Sequence, residues 1–396
     1  FMKIRLRINW GFIIQYNIEN FEWTCPLLGL ITSGSQVSSL HKVKAQKGKK
    51  MKKIITATIL GLSALTLAAC TQKTTEKSTS TASQSDKTTY PLTIKNYRKS
   101  VGSDSKADPT WPESAQTFTH VPKKVLANTR PMAELLLHLG LEKSIAGVGA
   151  VFGEKDASVA AEFDKLKSLG DNYIPQETAL SVDPDMVFGR GGLFEKSEWG
   201  VGTVESLNEM NIPTYIMKTS IKGGTFDSIY GDIDNLGKIF NVKPAADKFK
   251  GELKARETAL KDSLKDVKKT QTFAYIHSND PADISGYSLT GDTFSVSLFK
   301  MLKLKQAYDM PTGTVSIEKI IESDPDMIII PKWDDTDNAE KTVKGLYSSD
   351  KVSNLKAIKN KKVYILNYNY LFGYSYQSLA GFEEFAKVIY PELAKK

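Results

Sequence analysis

The 396-residue chain has only two cysteines and four histidines. Both thiols, Cys25 and Cys70, fall in the first 70 residues, and on the reading of that region given below neither is available for pairing. No disulfide framework is therefore expected, and a chain of this size buries a core large enough to need none. Beyond residue 100 the histidines are His120, His138 and His277. Direct capture of bare zinc or manganese calls for several imidazoles and carboxylates together, so this scarcity argues against it. A Gly-x-Ser-x-Gly elbow is absent, Gly373-Tyr374-Ser375-Tyr376-Gln377 being no match, which argues against the hydrolases built on that elbow. Charge of one sign is also missing from most of the chain. Of 53 basic and 45 acidic residues, residues 1–69 carry ten and two, which leaves 43 of each sign and a formally neutral remainder. No basic stripe remains for a nucleic-acid partner, and the lysines of 243–269 read as the solvated face of a helix.

Residues 51–69 carry Met51-Lys52-Lys53, an apolar run from Ile54 to Leu67, and then Ala68-Ala69. A positive start, a short apolar stretch and small residues make a secretory signal. The run is shorter than the about 20 residues of a membrane span. Leu67-Ala68-Ala69-Cys70 resembles the bacterial lipobox, which implies a lipidated Cys70 at the mature N-terminus and a protein held at the outer face of the cell membrane in a Gram-positive type of bacterium. Residues 1–50 precede that signal, open on Phe1, and end in Lys47-Gly48-Lys49-Lys50, the translation expected of a purine-rich ribosome-binding site. Met51 is accordingly expected to be the true start, with 1–50 untranslated upstream sequence. After Cys70 a Thr-, Ser- and Lys-rich stretch cannot bury enough apolar surface to fold, so residues 70–115 are expected to be a flexible tether.

The most informative feature is a repeat. Glu177-Thr-Ala-Leu-Ser-Val-Asp183-Pro184-Asp185-Met186-Val187 returns as Glu318-Lys-Ile-Ile-Glu-Ser-Asp324-Pro325-Asp326-Met327-Ile328. In each copy a helical turn runs into an Asp-Pro-Asp corner, where proline disfavours helix at the preceding residue, and a continuous apolar strand of the parallel, doubly covered kind follows. The spacing of the copies, about one domain length, predicts two homologous lobes. Around the copies short apolar segments alternate with amphipathic helices: Val125–Ala127, Met132–Leu139, Ile145–Val148 and Pro213–Met217 in the first half, and Thr272–Ile276, Phe294–Leu302, Val363–Leu366 and Leu379–Tyr390 in the second. The expected fold is α/β, two Rossmann-like lobes with parallel sheets. The lobes span residues 116–242 and 271–396, joined by one long helix over 243–270, and the family resemblance drawn below implies a ligand cleft between them.

Gly147-Val148-Gly149-Ala150-Val151-Phe152-Gly153 follows a strand and imitates a dinucleotide fingerprint. Its spacing is Gly-x-Gly-x-x-x-Gly and it does not open the first βαβ unit, so an NADP-dependent oxidoreductase is only a remote alternative. Pro122-Lys123-Lys124-Val125-Leu126-Ala127, Ala133-Glu134-Leu135-Leu136-Leu137-His138-Leu139-Gly140-Leu141 with Ile145-Ala146-Gly147-Val148, and the doubled Glu-x6-Pro-Asp resemble instead the cluster A-II (class III) substrate-binding lipoproteins of ABC importers. That group captures ferric siderophores, haem or cobalamin. The resemblance spans roughly residues 116–394. It implies a monomeric, non-enzymatic binder with no bound cofactor beyond the lipid on Cys70, an Fe(III)-siderophore or alternatively haem or cobalamin as ligand, and an ABC permease dimer as partner. It also implies that Glu177 and Glu318, one per lobe, dock on permease arginines, where charge-assisted pairs give orientation as well as energy.

Ligands of such folds meet loops at the carboxyl ends of strands. These are Asn128-Thr129-Arg130-Pro131-Met132, Gly149 to Phe152, and Gly189 to Phe194 with Trp199 in the first lobe. The second lobe offers His277-Ser278-Asn279-Asp280, Tyr287 with Thr290-Gly291-Asp292, Lys332-Trp333, and the run Tyr368, Tyr370, Phe372, Tyr374, Tyr376. From these, Asn128, Arg130, Met132, Phe152, Arg190, Trp199, His277, Tyr287, Trp333, Tyr370 and Tyr374 are the expected ligand contacts. Arg130 and Arg190 suit an anionic chelate, and the aromatics suit its flat faces. His277 is the one candidate metal ligand, either on the iron of a chelate or paired with Met132 on haem iron.

Overall fold

The computed structural model describes residues 87–100, 108–278, 284–333 and 338–395. Cys70, the signal segment, and Asn279 and Asp280 lie outside the described residues. Among the described residues no helix is long and apolar enough to cross a membrane.

Two four-stranded parallel sheets form the body. The first contains β3 (Val125–Ala127), β4 (Ile145–Val148), β5 (Met186–Gly189) and β6 (Thr214–Ile216), in the order β4-β3-β5-β6. The second contains β7 (Gln271–Tyr275), β9 (Leu304–Gln306), β11 (Met327–Lys332) and β12 (Val363–Asn367), in the order β9-β7-β11-β12. Each lobe thus places its strands in the same sequence of neighbours, as the repeat predicts. Val187, Phe188, Ile328 and Ile329 are fully buried, the expected state of central strands covered on both faces. The linker helix Lys243–Ser263 joins the lobes, with Pro244 in its first turn, where the missing N–H costs nothing.

The repeated corner has the same mechanics in both lobes. Asp183 and Asp324 take left-handed backbone conformations, at φ 48° and 41°, which lets the chain leave the helix ahead of proline. Asp185 then accepts the backbone N–H groups of Lys123 and Lys124 at 2.8 and 2.9 Å, and Asp326 accepts that of Thr272 at 2.9 Å. Each carboxylate ties the corner to the start of the first strand of its lobe.

One boundary is corrected. The stretch expected as tether through residue 115 contains β1 (Leu92–Tyr97), paired antiparallel with β2 (Glu113–Phe118). The hairpin lies against the free edge of β6, held by side-chain amides. Asn96 donates to the Thr214 carbonyl at 2.8 Å and accepts from the Ile216 N–H at 3.1 Å, while Gln116 accepts from the Thr214 N–H at 3.2 Å. Both amides are buried. They satisfy an edge that would otherwise expose unpaired backbone. Two shorter strands, β8 (Gly286–Ser288) and β10 (Gly313–Val315), make a separate antiparallel pair in the second lobe.

Candidate functional site

The carboxyl ends of β3, β4, β5 and β12 lead into a small pocket lined from both lobes. Thr129, Pro131, Ala150, Phe152, Tyr173 and Arg190 come from the first lobe, and Tyr368, Asn369, Phe372 and Gly373 from the second.

Arg190 is the cation of this pocket. Its backbone is clamped by Asn128, whose side chain accepts the Arg190 N–H at 2.9 Å and donates to the Arg190 carbonyl at 3.0 Å. Gly189 permits that approach: a Cβ there would stand 1.8 Å from the Asn128 amide oxygen. The guanidinium donates to the Tyr173 hydroxyl at 2.8 Å and lies 4.9 Å from the Tyr374 ring centroid. Tyr374 itself holds φ 51°, a strained conformation for a bulky side chain. Its carbonyl accepts from Thr219 in the first lobe, and its hydroxyl donates to Asp292 at 3.2 Å. Burial raises the Asp292 pKa and pushes the Tyr368 phenol up to about 12. The phenols of Tyr173, Tyr368 and Tyr374 surround the Arg190 guanidinium, and the Asp292 carboxyl feels its charge from beyond Tyr374, but among the described residues no carboxylate lies within ion-pair distance of it.

The second lobe supplies an aromatic wall. Trp333 stacks on Tyr368 with centroids 4.1 Å apart, Tyr368 packs on Phe372 at 4.8 Å, and His277 sits between Tyr287 at 4.9 Å and Trp333 at 5.3 Å. Asn367 caps the short helix Tyr368–Phe372, which places Tyr368 and Phe372 one turn apart on the same side. Burial lowers the His277 pKa, so the ring is neutral, and its Nδ1 is buried without a hydrogen-bond partner.

Several expected contacts lie elsewhere. Arg130 is 6% exposed and points into the first lobe, its Nε donating to the Phe152 carbonyl at 3.3 Å and its guanidinium 4.7 Å from the Phe163 ring centroid. Met132 is fully buried in the core of that lobe, because the helix Arg130–His138 is covered on nearly every side. It therefore cannot reach across a cleft to pair with His277 on haem. Asn128 shapes the Arg190 backbone from a buried position. Trp199, 55% exposed, donates to Glu195 at 2.7 Å and is not among the pocket-lining residues. Tyr370 turns toward Glu154, 3.4 Å from its carboxylate. Phe152 and Arg190 line the pocket, Tyr374 flanks Arg190, and His277, Tyr287 and Trp333 build the adjoining wall. Tyr173 was not anticipated. It follows no strand end, and its one local signal is its place two residues before Pro175 in a loop.

Behind the pocket a buried polar cluster crosses from lobe to lobe. Glu134 is fully buried; it accepts the Asp156 N–H at 3.0 Å and a bond from Gln377 of the second lobe. Asp156 accepts from Tyr376 at 2.7 Å and contacts His138 at 2.9 Å. Burial raises the Glu134 pKa to about 7 despite these bonds.

Glu177 and Glu318 lie far from this chemistry in character. Each is exposed in the first turn of the helix before its corner, Gln176–Leu180 or Ile317–Ser323. A hydrogen bond from the Ser316 side chain holds the Glu318 carboxyl below its usual pKa.

The model of the periplasmic binding protein family matches residues 127–370. The uncharacterized ABC transporter substrate-binding lipoprotein YvrC of Bacillus subtilis (strain 168) is 23% identical over 283 residues, 71% of this chain and 84% of that protein. A periplasmic binding protein from Veillonella parvula superposes with TM-score 0.63 at 18% identity, over 74% of this chain and 97% of the other. An ABC-type Fe3+-hydroxamate transport system structure from Saccharomonospora viridis gives TM-score 0.59 at 19% identity, over 76% and 100%.

Proposed function

The chain belongs to the periplasmic binding protein family, and from that premise we propose that it captures a ferric siderophore and delivers it to an ABC importer. Proteins of this family bind substrates for transport rather than transform them. The observation that carries the ligand class is Arg190: a pocket-lining guanidinium held by phenols rather than by a carboxylate, beside a wall of Tyr368, Phe372, Trp333 and His277. A cation with no carboxylate in direct contact is suited to an anionic ligand, and stacked aromatics to the flat faces of a chelate. The structure named for Fe3+-hydroxamate transport shares the fold. The cavity in this pocket is only about 10 Å³, far below the roughly 300–1,000 Å³ of drug-sized sites. Chelate entry therefore requires the aromatic side chains or the lobes to part.

Glu177 and Glu318, one exposed carboxylate at the same place in each lobe, suit docking on two like permease subunits. Cys70, lipidated, would hold the protein at the outer membrane face. Haem is the second reading, favoured by the unpartnered buried Nδ1 of His277; cobalamin is a third. Visible spectra of protein purified from cells grown with haem, and separately with ferric siderophores, decide among them. A ligand-to-metal band from the siderophore culture is expected, and a Soret band with no siderophore band would overturn the ferric-siderophore reading.

A further inference from the structure

Strands β1 and β2 precede the stretch 127–370 that matches the family, yet their pair touches the turn that carries Arg190. The contact begins at β6, whose edge the buried amides of Asn96 and Gln116 hold. From β6 the chain enters the turn Lys218–Ser220. Ser220 accepts the Gly191 N–H at 2.8 Å, and Lys218 lies 4.5 Å from the Tyr97 ring centroid. Trp111, just before β2, reaches Gly191 directly: its ring edge lies 3.0 Å from where a Cβ on Gly191 would stand. On the far side of the same loop Lys99 pairs with Glu195, in a bridge only 16% and 25% exposed. The residue after Arg190 is thus packed by Trp111 and hydrogen-bonded by a turn that the hairpin buttresses.

We infer that the N-terminal hairpin is a positioning brace for Arg190, with Trp111 as its contact residue, so that it sets affinity for the anionic part of the ligand without touching the ligand. Asn128 fixes the Arg190 peptide from the side of β3. Gly191 has no side chain with which to anchor the next peptide; Ile221 and Ile216 cover it from its own lobe and Trp111 from the hairpin. Loss of that cover lets the turn Gly191–Leu193 sample other conformations, and the guanidinium moves with it.

The inference rests on Arg190 meeting the negative charge of the ligand, and the experiment separates the two. The mature chain, its W111A, W111F and R190A variants and the W111A/R190A double variant are compared by amide hydrogen exchange. Each is also titrated with ferric enterobactin, a trianionic catecholate, and with ferrichrome, a neutral hydroxamate. W111A is expected to speed exchange at Gly191–Phe194 by about tenfold or more while leaving the second lobe unchanged. It should weaken ferric enterobactin about tenfold, with little further loss in the R190A background. W111F, which keeps an aromatic face on Gly191, should restore both and covers the case in which W111A folds poorly. Unchanged exchange at 191–194, or an equal affinity loss from W111A in both backgrounds, overturns the brace alone while R190A keeps its effect. An R190A protein that binds both chelates like wild type overturns the anionic-contact reading, and with it the role of the brace in affinity.

Discussion

Replacing Arg190 with alanine tests the site most directly. In the structure the guanidinium donates to the Tyr173 hydroxyl at 2.8 Å, hydrogen-bonds the Tyr368 phenol, and faces the Tyr374 ring at 4.9 Å. Hydrogen bonds to charged groups contribute roughly 1.5 to 3 kcal/mol, so Arg190→Ala should weaken an anionic ferric chelate about 10- to 150-fold at 1.4 kcal/mol per decade. A neutral chelate of similar size should lose less. Stability should change by under about 1 kcal/mol, because the loss of the cation–π contacts with Tyr374 and Tyr173 is offset by relief of a buried charge. Arg190→Lys keeps the charge and loses the planar fork, and an intermediate affinity is expected. Since the guanidinium lies inside the cleft, the difference between mutant and wild type should vary little with salt. Tryptophan fluorescence titrations at low and high ionic strength, alongside thermal melts, supply the measurement. Anionic and neutral chelates that both bind Arg190→Ala with wild-type affinity would refute the reasoning and leave the aromatic wall as the sole determinant.

Three other perturbations report on separate parts of the molecule. Changing Glu177 and Glu318 together to alanine should abolish chelate uptake by cells and leave ligand affinity intact; a folded double mutant that no longer binds chelate would place these carboxylates in the site instead. Glu134 has a folded-state pKa raised to about 7 from an ordinary 4.5, so its contribution to stability is present below the lower value and is lost as pH rises toward the upper one. Glu134→Gln should remove about 3 kcal/mol of that pH dependence between the two values, and denaturation midpoints with the same pH slope as wild type would show that the carboxyl is already ionised when folded. Cys70→Ala should release an otherwise folded protein from the membrane fraction, and full retention there would show a second anchor.

The skeleton was legible because its signals are backbone chemistry. Asp-Pro-Asp before an apolar run forces a helix stop, and the second Asp caps a neighbouring strand, so the text of the repeat carries its geometry in both copies. Continuous apolar runs such as Met327 to Ile330 gave the buried parallel strands. The hairpin was not legible, because β2 reads Glu-Ser-Ala-Gln-Thr-Phe and buries a polar amide, Gln116, beside a single large apolar residue, Phe118. Side-chain direction was the other limit. Arg130 and Met132 sit at the mouth of β3 as expected, yet both turn inward: a helix whose start is buried all round leaves no polar stripe to say which side faces ligand. Within the run from Tyr368 to Tyr376, helical phase sends Tyr368 and Phe372 to the pocket and Tyr370 toward Glu154. A list of aromatics without a helix start cannot predict that division.

The two copies also tell structure from recognition by where they stop agreeing. The register pairs Ala127 with Phe188 in one sheet and Tyr275 with Ile329 in the other. With the repeat this makes Thr129 the counterpart of His277, and Arg190 the counterpart of Pro331. Positions that agree perform tasks each lobe must perform for itself: Asp185 and Asp326 cap strands, the apolar strands fill cores, and Glu177 and Glu318 present one carboxylate each. Positions that differ lie around the cleft. There the first lobe offers a cation and the Tyr173 phenol, and the second offers a neutral imidazole within stacked rings. A symmetric partner such as a permease dimer can be met by what the lobes share. A chelate with a charged side and a flat side needs what they do not share, so specificity is expected to follow the departures from the repeat and docking its agreements.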